Sequence, residues 1–180
     1  MRVRTAFLVV LAALGVALAG CAGGARKTGK PPAVTVPADH AGRALAALAS
    51  RVEAALPGCP VTTTDGAVRV AVPAGRLFEA DSAALRTDDD AVLGRLMHVL
   101  RSCHGCAVEL VGHTDAIGPA AANLKFSSER AAGLAAWMQA AGVAAARLHA
   151  RGAGEAEPVA GEATPADRQA NRRIEIIIRP

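Results

Sequence analysis

The sequence predicts an α+β domain whose helices pack on one face of a sheet, and three observations carry that prediction. Val68 to Val72 alternates apolar and other residues with period two, while Ala107 to Val111 and Arg173 to Ile178 are short apolar runs, the marks of strands. Between them, residues 87–101 and 119–141 carry apolar residues at helical spacing. Finally, hydrophobic residues make up 52% of the 180 residues but aromatics only 2%, so the core must be built from Leu, Val, Ile and Ala. That composition suits a compact mixed domain better than an all-β sandwich. The predicted order is β-α-β-α-β-β.

At the N-terminus, Arg2 and Arg4 precede an apolar run from Ala6 to Leu18 and the small residues Ala19 and Gly20, the layout of a secretory signal peptide over residues 1–20. Leu18-Ala19-Gly20-Cys21 resembles the bacterial lipobox, which implies lipidation of Cys21. Ala22 is not the aspartate associated with retention in the inner membrane, so the resemblance points to the outer membrane. The competing reading, an uncleaved membrane helix over Ala6 to Ala25, has the right span, but four glycines weigh against it. Residues 21–40 then read as the lipidated cysteine and a flexible Gly, Pro, Lys and Ala linker.

Residues 41–66 read as an amphipathic helix and a lead-in segment, because Ala41, Leu45, Leu48, Val52 and Leu56 recur on one helical stripe. Residues 67–180 are the main domain. Its first strand breaks at Pro73 to Gly75. Thr87 with Asp88, Asp89 and Asp90 marks a helix start, a hydroxyl cap with carboxylates at the positive end of the dipole, and the helix runs through Arg101. The strand from Ala107 ends at Gly112. Pro119 opens a helix that reaches Ala141 and stops at Gly142, with Leu124, Leu134, Trp137 and Met138 facing the core. A short strand follows from Leu148 to Arg151, then a loop to Pro165, a brief helical turn, and the terminal strand.

An exported chain tends to oxidise its thiols, and Cys59, Cys103 and Cys106 are an odd set. Cys103-His104-Gly105-Cys106 has redox-dithiol spacing, and His104 or His113 invites a zinc reading. The dithiol follows a helix and leads into a strand, the reverse of the thioredoxin order, and zinc lacks a fourth ligand. The expectation is a structural disulfide between Cys59 and either Cys103 or Cys106, with no metal and no cofactor. The formal charge of +4 comes from 20 basic and 16 acidic residues, and losing Arg2 and Arg4 leaves 18 basic. With one Trp and no Tyr there is no stacking platform for bases, so nucleic acid is not an expected partner.

His113-Thr114-Asp115 lies just past a strand end, and Asn123, Ser127 and Arg130 share one face of the next helix. If that face turns toward the loop, Asp115 and Arg130 flank one site. A carboxylate beside a guanidinium suits a zwitterionic amino-acid head group, Asp115 taking the ammonium and Arg130 forking onto the carboxylate. An enzyme reading would make His113 a base with Asp115 or Ser127 as its partner, but no strained nucleophile elbow or oxyanion site is visible, and no catalysis is expected. The bland alternative is an Asp115–Arg130 ion pair that fastens loop to helix.

Several ordered blocks resemble the C-terminal domain of outer-membrane protein A and the peptidoglycan-associated lipoproteins. They are Leu77-Phe78 through Asp81-Ser82 and Leu85; Gly112 to Asp115; Gly118; Asn123; Ser127 to Ala131; Gly152 and Gly154 with Pro158; and Asn171 to Glu175. The resemblance covers roughly Val68 to Arg179. It implies a two-layer sandwich with a mixed sheet, and non-covalent binding of peptidoglycan by a lipid-anchored protein facing the periplasm. It assigns Asp115 and Arg130 to the diaminopimelate of the stem peptide and places Asp81, Asn123 and Arg172 at or beside that pocket. It also implies Tol-type periplasmic proteins as further partners. Ala122 and Asp167 depart from the family pattern at the rim.

Overall fold

The computed structural model describes residues 38–86 and 90–180. The expectations for the signal peptide, Cys21, the linker up to residue 37 and the Thr87 cap with Asp88 and Asp89 lie outside the described residues, while residues 38–40, expected as linker, already belong to the first helix. Helix α1, Ala38–Ala55, occupies the place of the expected amphipathic stripe and buries Leu48, Val52 and Ala55. The lead-in that follows is more than a connector. Val61–Thr64 forms strand β1, which pairs antiparallel with β2, Ala67–Pro73. Asp65 and Gly66 join them with φ of 51° and 70°, the paired positive values of a tight hairpin turn whose twist matches its strands. The Asp-Gly dipeptide was the signal for this strand, and the run of threonines, exposed on an edge, obscured it.

The remaining elements are α2 (Asp90–Arg101), β3 (Ala107–His113), α3 (Ala120–Ala140), β4 (Leu148–Gly154), α4 (Pro165–Asn171) and β5 (Arg173–Arg179). The five strands form one sheet in the order β1-β2-β5-β3-β4. It is mixed, since β3 and β4 run parallel and every other pair is antiparallel. The terminal strand thus enters the middle of the sheet, and Arg173 to Ile178 are all buried. Val68, Val70 and Val72, Val108 and Leu110, and Ile174, Ile176 and Ile178 meet α1, α2 and α3 in a single core. These helices cover one face of the sheet in a two-layer α+β arrangement, and Ala67, Val111, Ala153 and Ile177 form a smaller buried cluster on the other.

Pro119 sits one position before α3 rather than at its first turn, with an extended ψ of 133°. Gly142, at φ +102°, ends the helix: Val143 N–H donates to Met138 O and Gly142 N–H to Gln139 O, both at 3.0 Å, the paired bonds of a left-handed C-terminal cap. The buried stripe of α3 is Ser127, Arg130, Ala131, Leu134 and Met138. Leu124, expected in the core, is 50% exposed. By spacing it continues that stripe, but it lies in the first turns, where the helix backbone itself packs against Gly154.

The cysteine expectation is corrected. Cys103 and Cys106 form the disulfide, with Cα atoms 5.5 Å apart, and Cys59 is a free, buried thiol. Cys59 Sγ instead accepts from the Arg76 guanidinium at 3.1 Å, while burial still pushes its pKa up. Arg147 clamps the disulfide loop, donating to Cys106 O at 2.7 Å and Cys103 O at 2.6 Å. Sequence spacing could not choose between partners because Cys59 reaches the core through a separate loop, whereas the four-residue Cys-x-x-Cys turn closes on itself.

Candidate functional site

The site is built where β3 ends and α3 begins. Glycine is required there for contact rather than for turning: a Cβ on Gly112 would lie 2.2 Å from Ser127 O, and one on Gly152 would lie 2.5 Å from Ser127 Oγ. Both strands therefore bring their backbones directly under α3. Ser127 Oγ accepts from Gly154 N–H at 3.0 Å and donates to Leu124 O at 3.0 Å, and Thr114 N–H donates to Gly154 O at 2.9 Å. The segment Thr114-Asp115 is thereby fixed against the helix face that carries Asn123 and Arg130.

Asp81, Asp115, Asn123, Arg130 and Arg172 all line one cavity of about 310 Å³. Asp115 is buried, and its partner is not Arg130: Arg172 Nη1 donates to Asp115 Oδ2 at 2.5 Å, and Ile117 N–H to Oδ1 at 3.3 Å. Asn123 Nδ2 reaches Asp115 O at 3.3 Å and Glu155 at 2.6 Å, joining helix, loop and the end of β4. The loop-to-helix ion pair weighed from sequence is thus absent between Asp115 and Arg130. Its place is taken by a residue brought in from the start of β5.

Arg130 is held by other means. Its Nε donates to Ser82 O at 2.8 Å, and its guanidinium carbon lies 4.1 Å from the centre of the Phe126 ring and 5.2 Å from that of Phe78. Such stacking fixes the plane of a cation without neutralising it. Burial lowers its pKa, with Asp81 opposing and the Arg172 guanidinium adding to the shift. Asp81 crowns the turn that follows Phe78, at φ +49°, a left-handed conformation that Asp tolerates better than most residues. Two carboxylates and two guanidiniums, each fixed by a different element, therefore surround one polar cavity.

Thr114, from the polar segment past β3, also lines it, as do Ile117 and Phe126, which the sequence did not single out. Phe126 had a legible signal: it is one of three phenylalanines in the chain and precedes Arg130 by one helical turn. His113 does not line the cavity. It is 1% exposed on the opposite face of the sheet, 3.8 Å from Glu175, and neither ring nitrogen has a hydrogen-bond partner among the described residues. Burial and the neighbouring Arg173 hold its pKa down at about 4, and a neutral, enclosed ring is poorly placed to exchange protons with a ligand. No group of three His, Cys, Asp or Glu side chains suited to a metal occurs among the described residues. Nor is any described helix long and apolar enough to cross a membrane.

Residues 77–172 match the OmpA family, and the chain belongs to it. It is 36% identical over 101 residues to the peptidoglycan-binding protein ArfA of Mycobacterium tuberculosis, across 56% of this chain and 31% of that protein. With the outer-membrane lipoprotein YfiB of Pseudomonas aeruginosa it shares 37% identity over 102 residues, 57% of this chain and 61% of the other. The chain spans less than two thirds of the length of these relatives. Among solved structures, the cell wall anchor of the T6SS from Pseudomonas aeruginosa is 30% identical with a TM-score of 0.63, over 74% of this chain and 95% of that one.

Proposed function

We propose that this protein binds peptidoglycan non-covalently, taking the diaminopimelate of a stem peptide into the cavity between Asp115 and Arg130. In this reading residues 1–20 direct export, lipid on Cys21 anchors the chain to the outer membrane, residues 21–40 give reach, and residues 67–180 hold the wall from the periplasmic side. The observation that supports it most is the charge arrangement. The head group of diaminopimelate presents an ammonium and a carboxylate on one carbon, and the cavity presents Asp81 and Asp115 opposite Arg130 and Arg172. A buried Arg130 whose Nη groups make no hydrogen bond to the described residues can fork onto a carboxylate. Asp115 retains lone pairs for an ammonium beside its bond to Arg172. The names of ArfA and YfiB, a peptidoglycan-binding protein and an outer-membrane lipoprotein, support the same assignment.

Because the ligand would be held by a few charge-assisted bonds with no covalent step, each contact is weak and exchangeable. Many copies on one polymeric wall supply the tether. Titration of the domain with free meso-diaminopimelate by calorimetry tests the reading. Saturable binding that Nα-acetyl-L-lysine cannot reproduce is expected, since its one ammonium sits on a carbon that bears no carboxylate. Equal heats from both ligands would sink the assignment.

A further inference from the structure

A second cavity, of about 380 Å³, shares Asp81, Arg130 and Arg172 with the first and continues to Gly75, Glu79 and Gln169. The two are therefore lobes of one cleft, with the guanidiniums of Arg130 and Arg172 in their common wall. Arg172 spans both: Nη1 bonds Asp115 in the first lobe, and Nη2 donates to Gln169 Oε1 of the second at 2.5 Å. We infer that the second lobe is a subsite for the peptide arm to which the head-group residue is joined. This rests on the head-group reading of the first lobe.

Diaminopimelate is an amino acid with two ends. One is a free zwitterionic head group; the other lies in the peptide main chain, a short methylene bridge away. A ligand seated by its head group in the first lobe extends beyond it, and the adjoining lobe sets Glu79, Asp81, Arg130, Gln169 and Arg172 beside the small residues Ala74, Gly75 and Ala80. Its lining offers carboxylate acceptors from Glu79 and Asp81, guanidinium donors, and an amide from Gln169. Peptide amides present both a donor and an acceptor, so they match a lining of mixed sign better than an ion of either charge would. Gln169 also acts as a positioning residue, because its bond to Nη2 holds Arg172 in the wall between the lobes.

Gly75 separates the lobes experimentally. A Cβ there meets only Gln169 Nε2, at 4.0 Å, so a side chain is accepted by the fold and grows from one wall of the second lobe toward another. Calorimetry would compare free meso-diaminopimelate with L-Ala-γ-D-Glu-meso-diaminopimelate on the wild type, Gly75→Ala and Gly75→Leu. The tripeptide is expected to bind the wild type and Gly75→Ala about tenfold more tightly than the free amino acid, the worth of one or two added hydrogen bonds. Gly75→Leu keeps wild-type affinity for the free amino acid, which shows that its fold and first lobe are intact, and loses the tripeptide's advantage. Equal affinity of the wild type for the two ligands, or a tripeptide advantage that survives in Gly75→Leu, would overturn the second subsite while leaving the head-group reading standing. No binding of either ligand by the wild type would remove both.

Discussion

At the scale of single residues, the site depends on charges that are held without being cancelled. Arg130 is stacked on Phe126 and tied through Nε, so its shape matters as much as its charge. Arg130→Lys keeps a cation but loses the planar fork, and it is expected to weaken diaminopimelate binding at least about tenfold in calorimetry while the melting temperature changes little. His113 carries a different kind of consequence. Its folded pKa of about 4 lies below the ordinary 6.5, so as pH falls the unfolded chain takes up a proton before the folded one does. The stability of the neutral buried ring is complete above pH 6.5 and is lost progressively toward pH 4, by up to about 3 kcal/mol. Urea melts between these pH values should show that slope, and His113→Leu should flatten it. An unchanged slope in the variant would assign the loss to another group. Glu175, 3.8 Å from His113, acts on the same ring: burial raises its own pKa, bonds from Arg173 and Arg69 more than offset this, and its contribution is lost as pH falls below the ordinary carboxyl value of 4.5.

At the scale of elements, close backbone contact positions the site. Ser127 occupies the space a Cβ on Gly112 or Gly152 would need, so Gly152→Ala must push α3 away from β4. Such overpacking costs about 1 to 3 kcal/mol, and the displaced helix should also lose ligand affinity, readable as a lowered denaturation midpoint together with weaker binding. Asn171, fully buried ahead of β5, accepts from Val159 and Ala160 N–H and donates to Ala160 O, Gly161 O and Glu162. Asn171→Ala would leave these backbone groups without partners and is expected to cost about 1 to 3 kcal/mol in chemical denaturation. The helices and the alternating strands were legible because their periodicities are local. The edge strand β1 was not, because an exposed threonine run has no buried face to give it a pattern. The pairing of Asp115 with Arg172 rather than Arg130 was likewise hidden. It depends on β5 inserting between β2 and β3, a non-local event that no spacing records, although both residues had been placed near the pocket from the family blocks.

At the scale of the whole molecule, the proposed function joins a lipid anchor to a wall receptor. Cys21→Ser is expected to move the protein from the membrane fraction to the soluble periplasmic fraction without changing the affinity of its domain for wall fragments. Fractionation beside a binding assay would separate the two functions, and coincident loss of both would contradict their independence. The central claim is tested most directly by sedimenting residues 41–180 with purified diaminopimelate-type peptidoglycan, comparing the wild type with Asp115→Ala and Arg130→Ala and checking each fold by thermal melting. The account predicts that the wild type pellets with the wall and that both folded variants stay in the supernatant. A folded wild type left in solution, or variants that pellet as fully as the wild type, would contradict it.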